Sequence, residues 1–346
     1  MVAIIMDGKK VAQEVKEYVK KELEVFKKRG LTPCLATILV GEDPASKLYI
    51  RMKHESCEEV GMKSKNFQFP ANSKEEDLIN LIEELNEDPK IHGILVQLPL
   101  PHEIDSYKIV EKISPEKDVD GLNPYNMGRV AYKRFELAPC TPRGIITLLK
   151  YYDIDLAGKH VVIINRSALV GKPLMLLTRF DPSQMHLFNV DIMLLNEDAV
   201  VSICHSKTKD LKYFTQHADI LVSAVGKRPE FLITKDMIKP GAIVIDVGVT
   251  KIAGKVYGDV DFENVKEKAS YITPNPGGVG PMTVAMLIYN TLIAATNQEG
   301  LKLNEDLIEY LKKKEGKLKM TKASFTCKNH GYPIFIACFN NFFIHN

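Results

Sequence analysis

The stretch Val161-Val-Ile-Ile-Asn165-Arg166-Ser167-Ala-Leu-Val170-Gly171-Lys172-Pro173 decides the fold. Its four β-branched residues read as a buried strand, and the polar, glycine and proline positions after them read as a turn into a helix. Such a passage offers backbone N–H groups to a phosphate. Neither common nucleotide fingerprint is present: GxGxxG is missing, and Gly171-Lys172-Pro173 replaces the GK[ST] that a triphosphatase needs to hold magnesium. ATP or GTP hydrolysis is therefore disfavoured, and a dinucleotide stays open. Strands are expected at His160–Asn165, Val200–Cys204, Asp219–Ala224 and Ala242–Val247, alternating with helices as in dinucleotide-binding sheets. After the second of these comes Cys204-His205-Ser206-Lys207-Thr208, with no acid to grip a ribose; with Arg166, that chemistry suits a 2′-phosphate.

The same alternation runs upstream. Val11, Val15, Val19 and Leu23 recur four apart, the stripe of an amphipathic helix from Gly8 to about Lys28. A strand over Cys34–Val40, a helix over Pro44–Val60 and an extended segment over Ser64–Phe69 follow. Ser73 and Glu76 are expected to form a capping box for a helix through Leu85, and Gly93–Leu98 reads as an apolar strand stopped by Pro99 and Pro101. The pattern pauses at Cys140-Thr-Pro142, a helix runs from about Gly144 to Tyr152, and a domain boundary is placed there. The expectation is an α/β chain of two domains, residues 1–142 and a Rossmann-type dinucleotide-binding domain over 143–280. Leu303–Lys314 can form a charged helix; beyond Gly316 an aromatic-rich tail shows no clear period and receives no chemistry.

Composition excludes several classes. With 45% hydrophobic and 26% charged residues in 346, disordered, collagen-like and disulfide-scaffold readings fail. The net charge of +2 announces neither nucleic acid nor an anionic membrane as partner. The 6 cysteines contain no CxxC pair, so reduced thiols in a cytoplasmic compartment are expected rather than a metal knuckle or redox pair. No leader is evident in the first residues, and no run approaches the ~18–20 apolar residues of a membrane span.

Four places carry polar groups with chemical potential. Tyr49 and Lys53 are four apart on the helix that Asp43 and Pro44 start, so phenol and amine share a face; from spacing alone, a solvated lysine beside a half-buried tyrosine is the stronger reading. Gln97 is a lone amide near the carboxyl end of an apolar strand, where open α/β sheets place ligands; a bond to a neighbouring loop and contact with a catalytic amine are even alternatives. Asp118 and Asp120 lie two apart in a turn-rich loop unlike any metal motif, where a carboxylate either closes an Asx-turn or accepts from an amino-pyrimidine edge. Pro274-Asn-Pro276-Gly-Gly-Val-Gly280-Pro-Met-Thr283 feeds a helix through about Ala295, and its amides can approach a ligand closely.

Together, the ASxxYxxxK helix, GILVQLPLP, PEKDVDG, PCTP, RSxxVGKP, CHSKT, KPGAIVIDVG and TPNPGGVGPMT, in this order, closely resemble the methylenetetrahydrofolate dehydrogenase/cyclohydrolase family from about residue 5 to 298. The resemblance implies a catalytic folate-binding domain over 1–142 completed by a return helix at 281–298, an active cleft against the cofactor domain, and a 299–346 extension without counterpart. It implies Lys53 as principal catalytic residue, Gln97 as its hydrogen-bonded modulator, Tyr49 on the folate and Asp120 on the pterin, with Pro276 and Gly280 beside the substrate. Asn165, Arg166, Ser167, Ser206 and Thr283 fall at its cofactor-binding positions, with NADP preferred to NAD and no metal required. A homodimer is the family's habit. A monofunctional enzyme of the same fold is the nearest alternative, and a binding protein that has lost catalysis is a more distant one. Two departures stand out: Asn165 occupies a position that is usually Gly, and the link over 178–194 is longer than usual, either a surface loop or a perturbation of the adenosine pocket.

Overall fold

The computed structural model describes residues 2–132, 134–167, 169–175 and 198–314. The expectations for the 178–194 link and for the aromatic tail fall outside the described residues.

A short strand, β1 (Ile4–Ile5), leads into α1 (Gly8–Lys27), which Asp7 caps by accepting from the Lys10 N–H at 3.1 Å. The stripe Val11, Val15, Val19, Leu23 is buried, as its spacing requires. β2 (Cys34–Val40), buried throughout, lies between β3 (Lys63–Phe69) and β4 (Gly93–Val96) in a three-stranded parallel sheet. α2 (Pro44–Val60) begins at Pro44, with the Asp43 carboxylate accepting from the Ser46 N–H at 2.7 Å. α3 (Glu75–Glu87) leads from β3 to β4, and here the expected capping box slips by one: the cap is Lys74, whose N–H donates to Asp77 at 3.1 Å. Glu75, Glu76 and Asp77 all carry acceptors in that first turn, so spacing alone did not single one out.

Two short helices, α4 (Ser106–Glu111) and α5 (Pro124–Ala131), precede α6 (Cys140–Tyr151). The expected pause at Cys140–Pro142 is instead the first turn of α6, where N–H groups have no intrahelical partner and a proline is tolerated. Beyond it run β5 (His160–Ile164), α7 (Gly171–Met175), β6 (Val200–Cys204), α8 (Leu211–His217), β7 (Ile220–Ser223) and β8 (Ile243–Asp246). An antiparallel pair, β9 (Thr250–Ile252) and β10 (Lys255–Tyr257), is followed by α9 (Phe262–Val265) and β11 (Tyr271–Ile272). The second sheet is parallel throughout, in the order β6-β5-β7-β8-β11-β1. Its outer strand β1 comes from the very start of the chain, with Ile4 opposite Tyr271. From β5 the chain goes first to one side and then to the other, so β5 and β7 frame a topological switch point.

α10 (Val279–Gln298) returns between the two sheets, packed on α1 and α6, and every residue from Val284 to Thr296 is buried. Its length and apolarity do reach those of a membrane span, contrary to the expectation that none does; polar positions such as Asn290 and Thr291 conceal the run, and packing on α1 and α6 accounts for its composition. α11 (Leu307–Lys314) buries Leu307 and Leu311 against α1 and α6.

Candidate active site

Between the two sheets lies a cavity of about 540 Å³. α2 supplies Tyr49 and Lys53 one turn apart, the end of β4 supplies Gln97, and the loop before α5 supplies Asp120. The far wall is Pro276 with Gly280 and Thr283 at the start of α10. Seven of the residues singled out in the sequence thus share one space.

Lys53 Nζ donates to Gln97 Oε1 at 2.9 Å, and Gln97 Nε2 donates to the Leu98 carbonyl at 2.7 Å. The second bond orients the amide, leaving its oxygen for the amine. Burial pushes the proton affinity of Lys53 below the usual lysine range, against the opposing pull of Asp120 and Cys140. Desolvation acts the other way on the acids. It raises Asp120 above the usual carboxylate range although Lys53 and the Cys140 thiol pull it back, and it raises Cys140 well above the usual thiol value.

Asp118 and Asp120 part company. The Asp118 side chain is buried and accepts from the Asn123 N–H at 2.8 Å and from Asn126 Nδ2 at 2.9 Å, so it holds its own loop together. Asp120 is left facing the cavity. Gly121, next in line, has φ +70°, and a Cβ there would stand 2.4 Å from the Ala138 carbonyl carbon; glycine lets this loop fold onto the segment entering α6. Thr283 Oγ1 lies 3.0 Å from Thr141 Oγ1, tying α10 to α6 at the cavity wall.

Asn165, Arg166, Ser167 and Ser206 do not line this cavity. They lie at the carboxyl ends of β5 and β6, and because Ile164 pairs with Cys204, Arg166 and Ser206 are each the second residue beyond the paired ends. Both are exposed. Leu169 and Val170 continue from this turn into the cavity wall. Asn165 fills the switch point: its Nδ2 donates to the Ala224 carbonyl after β7 at 2.5 Å, while its Oδ1 accepts from the N–H groups of Ser167 at 2.6 Å and Gly171 at 3.2 Å. A Cβ on Gly171 would lie 2.2 Å from the Asn165 carbonyl oxygen, so α7 approaches β5 as closely as the glycine of a dinucleotide turn permits. Glycine cradle, switch point and exposed Arg166 beside Ser206 fit a dinucleotide with an extra phosphate.

Two other parts of the site went unremarked in the sequence. Asp246, at the end of β8, lines the cavity and is pushed up to about 6 by burial, its carboxylate accepting from the N–H groups of Asp259 at 2.9 Å and Val260 at 3.1 Å. Asn290 lies fully buried in α10, an amide inside an apolar helix; the reasoning that picked out Gln97 would have found it.

Two family models match the chain. Residues 6–120 match the tetrahydrofolate dehydrogenase/cyclohydrolase catalytic domain, and residues 139–299 match the NAD(P)-binding domain of the same family. The chain belongs to the tetrahydrofolate dehydrogenase/cyclohydrolase family. Among its relatives, Bifunctional protein FolD of Bacillus subtilis is 50% identical over 296 residues, covering 85% of this chain and 98% of that protein. The FolD of Nitrosopumilus maritimus is 50% identical over 291 residues, covering 84% and 96%. Of solved structures, the bifunctional enzyme FolD from Campylobacter jejuni superposes with a TM-score of 0.78 at 45% identity, covering 85% of this chain and 99% of that one. The Trypanosoma brucei methylenetetrahydrofolate dehydrogenase-cyclohydrolase, complexed with NADP cofactor and inhibitor, gives 0.78 at 35% identity, covering 86% and 98%. In this member of the tetrahydrofolate dehydrogenase/cyclohydrolase family, both family domains contribute to one cleft, with α10 forming part of its wall.

Proposed function

We propose that the chain is a bifunctional one-carbon folate enzyme, oxidising methylene-tetrahydrofolate to methenyl-tetrahydrofolate with NADP⁺ and then hydrolysing the methenyl product to formyl-tetrahydrofolate. The observation that carries this reading is the half-buried Lys53 amine, hydrogen-bonded to Gln97 and facing Asp120 in a cleft between the two sheets. Bound NADP⁺ supplies the hydride acceptor for the first step. Arg166 and Ser206 would hold its 2′-phosphate, the turn through Asn165 and Ser167 would take the neighbouring part of the dinucleotide, and Thr283 would hold the nicotinamide end.

The folate lies along the α2 face, with its ring system against Tyr49, its amino-pyrimidine edge on Asp120, and Pro276 and Gly280 behind it. In hydrolysis, water attacks the methenyl carbon of the cation, and the C–O bond forms as neutral Lys53 takes the proton that water releases. The tetrahedral adduct then breaks one C–N bond as its hydroxyl becomes the formyl C=O: the ammonium proton passes to the departing nitrogen, regenerating the amine, and the hydroxyl proton is released to solvent as the net proton of the reaction. Low proton affinity makes the free amine available nearer neutrality than an ordinary lysine would be. Gln97 keeps the nitrogen in place without supplying a charge that would raise its proton affinity.

The same proposal divides the chain at 142 and 280, with 281–298 completing the catalytic domain, and takes the protein as a cytoplasmic homodimer acting on a small molecule, without nucleic acid or membrane. Its test is a spectroscopic assay with methylene-tetrahydrofolate and either nicotinamide cofactor. Methenyl absorbance should rise with NADP⁺ and then decay. A Lys53→Met variant that binds NADP⁺ and melts normally yet hydrolyses methenyl-tetrahydrofolate at the wild-type rate would refute the role of Lys53.

A further inference from the structure

We propose that Asn290 is a positioning residue for the reaction: its buried carboxamide sets how far the Asp120 carboxylate stands from the Lys53 ammonium. The inference rests on the folate reading of the cleft. Asn290 is 0% exposed, in the middle of α10, and all its hydrogen-bonding capacity is directed at the frame of the site. Its Nδ2 donates to the carbonyls of Val119 and Ala138, both at 2.8 Å, with Cys140 Sγ at 3.5 Å. Its Oδ1 accepts from Arg143 Nη1 at 2.6 Å. Arg143 is itself anchored, donating to the Glu136 carbonyl at 3.0 Å and lying 4.6 Å from the Tyr289 ring centroid.

The two carbonyls are well chosen. Val119 immediately precedes Asp120, and Ala138 lies two residues before Cys140, so one amide clasps the chain where it enters the acid to the chain where it enters α6. Gly121 completes the clasp, since its backbone already touches Ala138 and Pro139. The charged and titratable groups facing Lys53 are Asp120 from this loop, Cys140 from α6 and its neighbour His54 on α2; those facing Asp120 are Lys53, Cys140 and Asp118; Cys140 also feels Arg143. Removing the amide leaves the buried Ala138 carbonyl without a side-chain donor and the Val119 carbonyl with only the weak Cys140 thiol donor at 3.3 Å, and the loop has to shift to regain a full hydrogen bond. Asp120 moves with Val119, and Lys53 then loses part of the partner that favours its charged form.

Asn290→Ser and Arg143→Lys each loosen the clasp, from opposite ends. The direct readout needs no turnover: reductive methylation with ¹³C-formaldehyde, the Lys53 resonance being assigned by its loss in Lys53→Met, followed by titration. The Lys53 midpoint should fall in both variants relative to wild type and be unmoved by Asn290→Ser when Asp120→Asn is already present. Hydrolytic kcat should fall by up to about 10²-fold, as for a displacement of order 1 Å, with KM little changed. An unmoved Lys53 midpoint in both folded variants, or the same shift with and without Asp120, would overturn the proposal and assign Asn290 to packing alone. Absence of methenyl hydrolysis in the wild-type enzyme would instead refute the folate reading, and the titration would still decide whether Asn290 acts on Lys53 through Asp120.

Discussion

The Lys53 corner and the Arg166 edge are built on opposite principles. At Lys53, amine, amide and acid are withdrawn from water and linked to one another through α2, β4 and the loop clasped by Asn290. At Arg166, the Arg166 and Ser206 side chains stand in solvent beyond the ends of β5 and β6, while Asn165 and Ser167 are engaged with backbone of their own lobe. The first arrangement tunes a proton affinity and needs a low dielectric to do so; the second supplies charge for a ligand that brings its own. Disturbing the first should therefore damage rate, and disturbing the second affinity.

The largest contrast comes from Lys53→Met, which should lower cyclohydrolase kcat by about 10²- to 10⁴-fold, the usual worth of a positioned proton acceptor. Its melting temperature should equal or exceed that of wild type, because a desolvated amine is removed. In the wild type, the acid limb of the hydrolysis rate should lie below the ordinary lysine range, activity rising with pH as the amine loses its proton; a limb near the unperturbed lysine value would erase the distinction between the two regions. Next is Arg166→Ala. By the worth of hydrogen bonds to charged groups, it should weaken NADP⁺ binding about 10- to 100-fold while sparing NAD⁺, as measured by calorimetry. Equal losses for both would show that Arg166 does not read the extra phosphate.

A smaller effect of opposite sign is expected at Asn165. Its Oδ1 holds two N–H groups that a dinucleotide turn offers to phosphate, so Asn165→Gly should tighten NADPH binding about five- to tenfold, the value of one net hydrogen bond, followed by the ligand's own fluorescence. Weaker binding would mean that the side chain supports the turn rather than competing for it. The smallest effect concerns Asp118. Burial raises it to about 6, above its unfolded value, so its contribution to stability is fully present below about pH 4 and is lost as pH rises through about 6. Relative to Asp118→Asn, wild type should gain on the order of 1–2 °C in melting temperature on going from pH 7 to pH 5, small because the Asn123 and Asn126 donors oppose the shift.

Much of this was legible from residues alone, for reasons that differ between elements. β2, α2 and β6 begin and end where the sequence reading placed them, since each is bounded by strong local signals such as Asp43-Pro44 and Gly61. The capping box at α3 slipped because three adjacent acids can serve the same turn. The start of α6 was missed because Pro142 reads as a break when counted by type and as a first-turn residue when placed in space. The pairing of β1 with β11 joins residues more than 260 positions apart, and no local pattern encodes it. In the site, spacing alone favours a solvated Lys53 beside a half-buried Tyr49 and leaves Gln97 and Asp120 with ordinary structural roles open; the resemblance of the motifs taken in order is what draws the four together. Asn290 is a lone amide in an apolar run and could have been marked by the reasoning applied to Gln97, but its two carbonyl partners and one guanidinium partner are brought together only by the fold.

The path of the chain has a practical consequence. Strand β1 belongs to the dinucleotide sheet although it precedes α1, and α10 comes back to the first lobe after that sheet is finished. The polypeptide therefore crosses the cleft near both ends, like a thread stitched through two pieces of cloth. A genetic cut anywhere in the middle would not release two independent halves: each fragment would carry off a piece of the other, and activity should return only when the fragments are folded together.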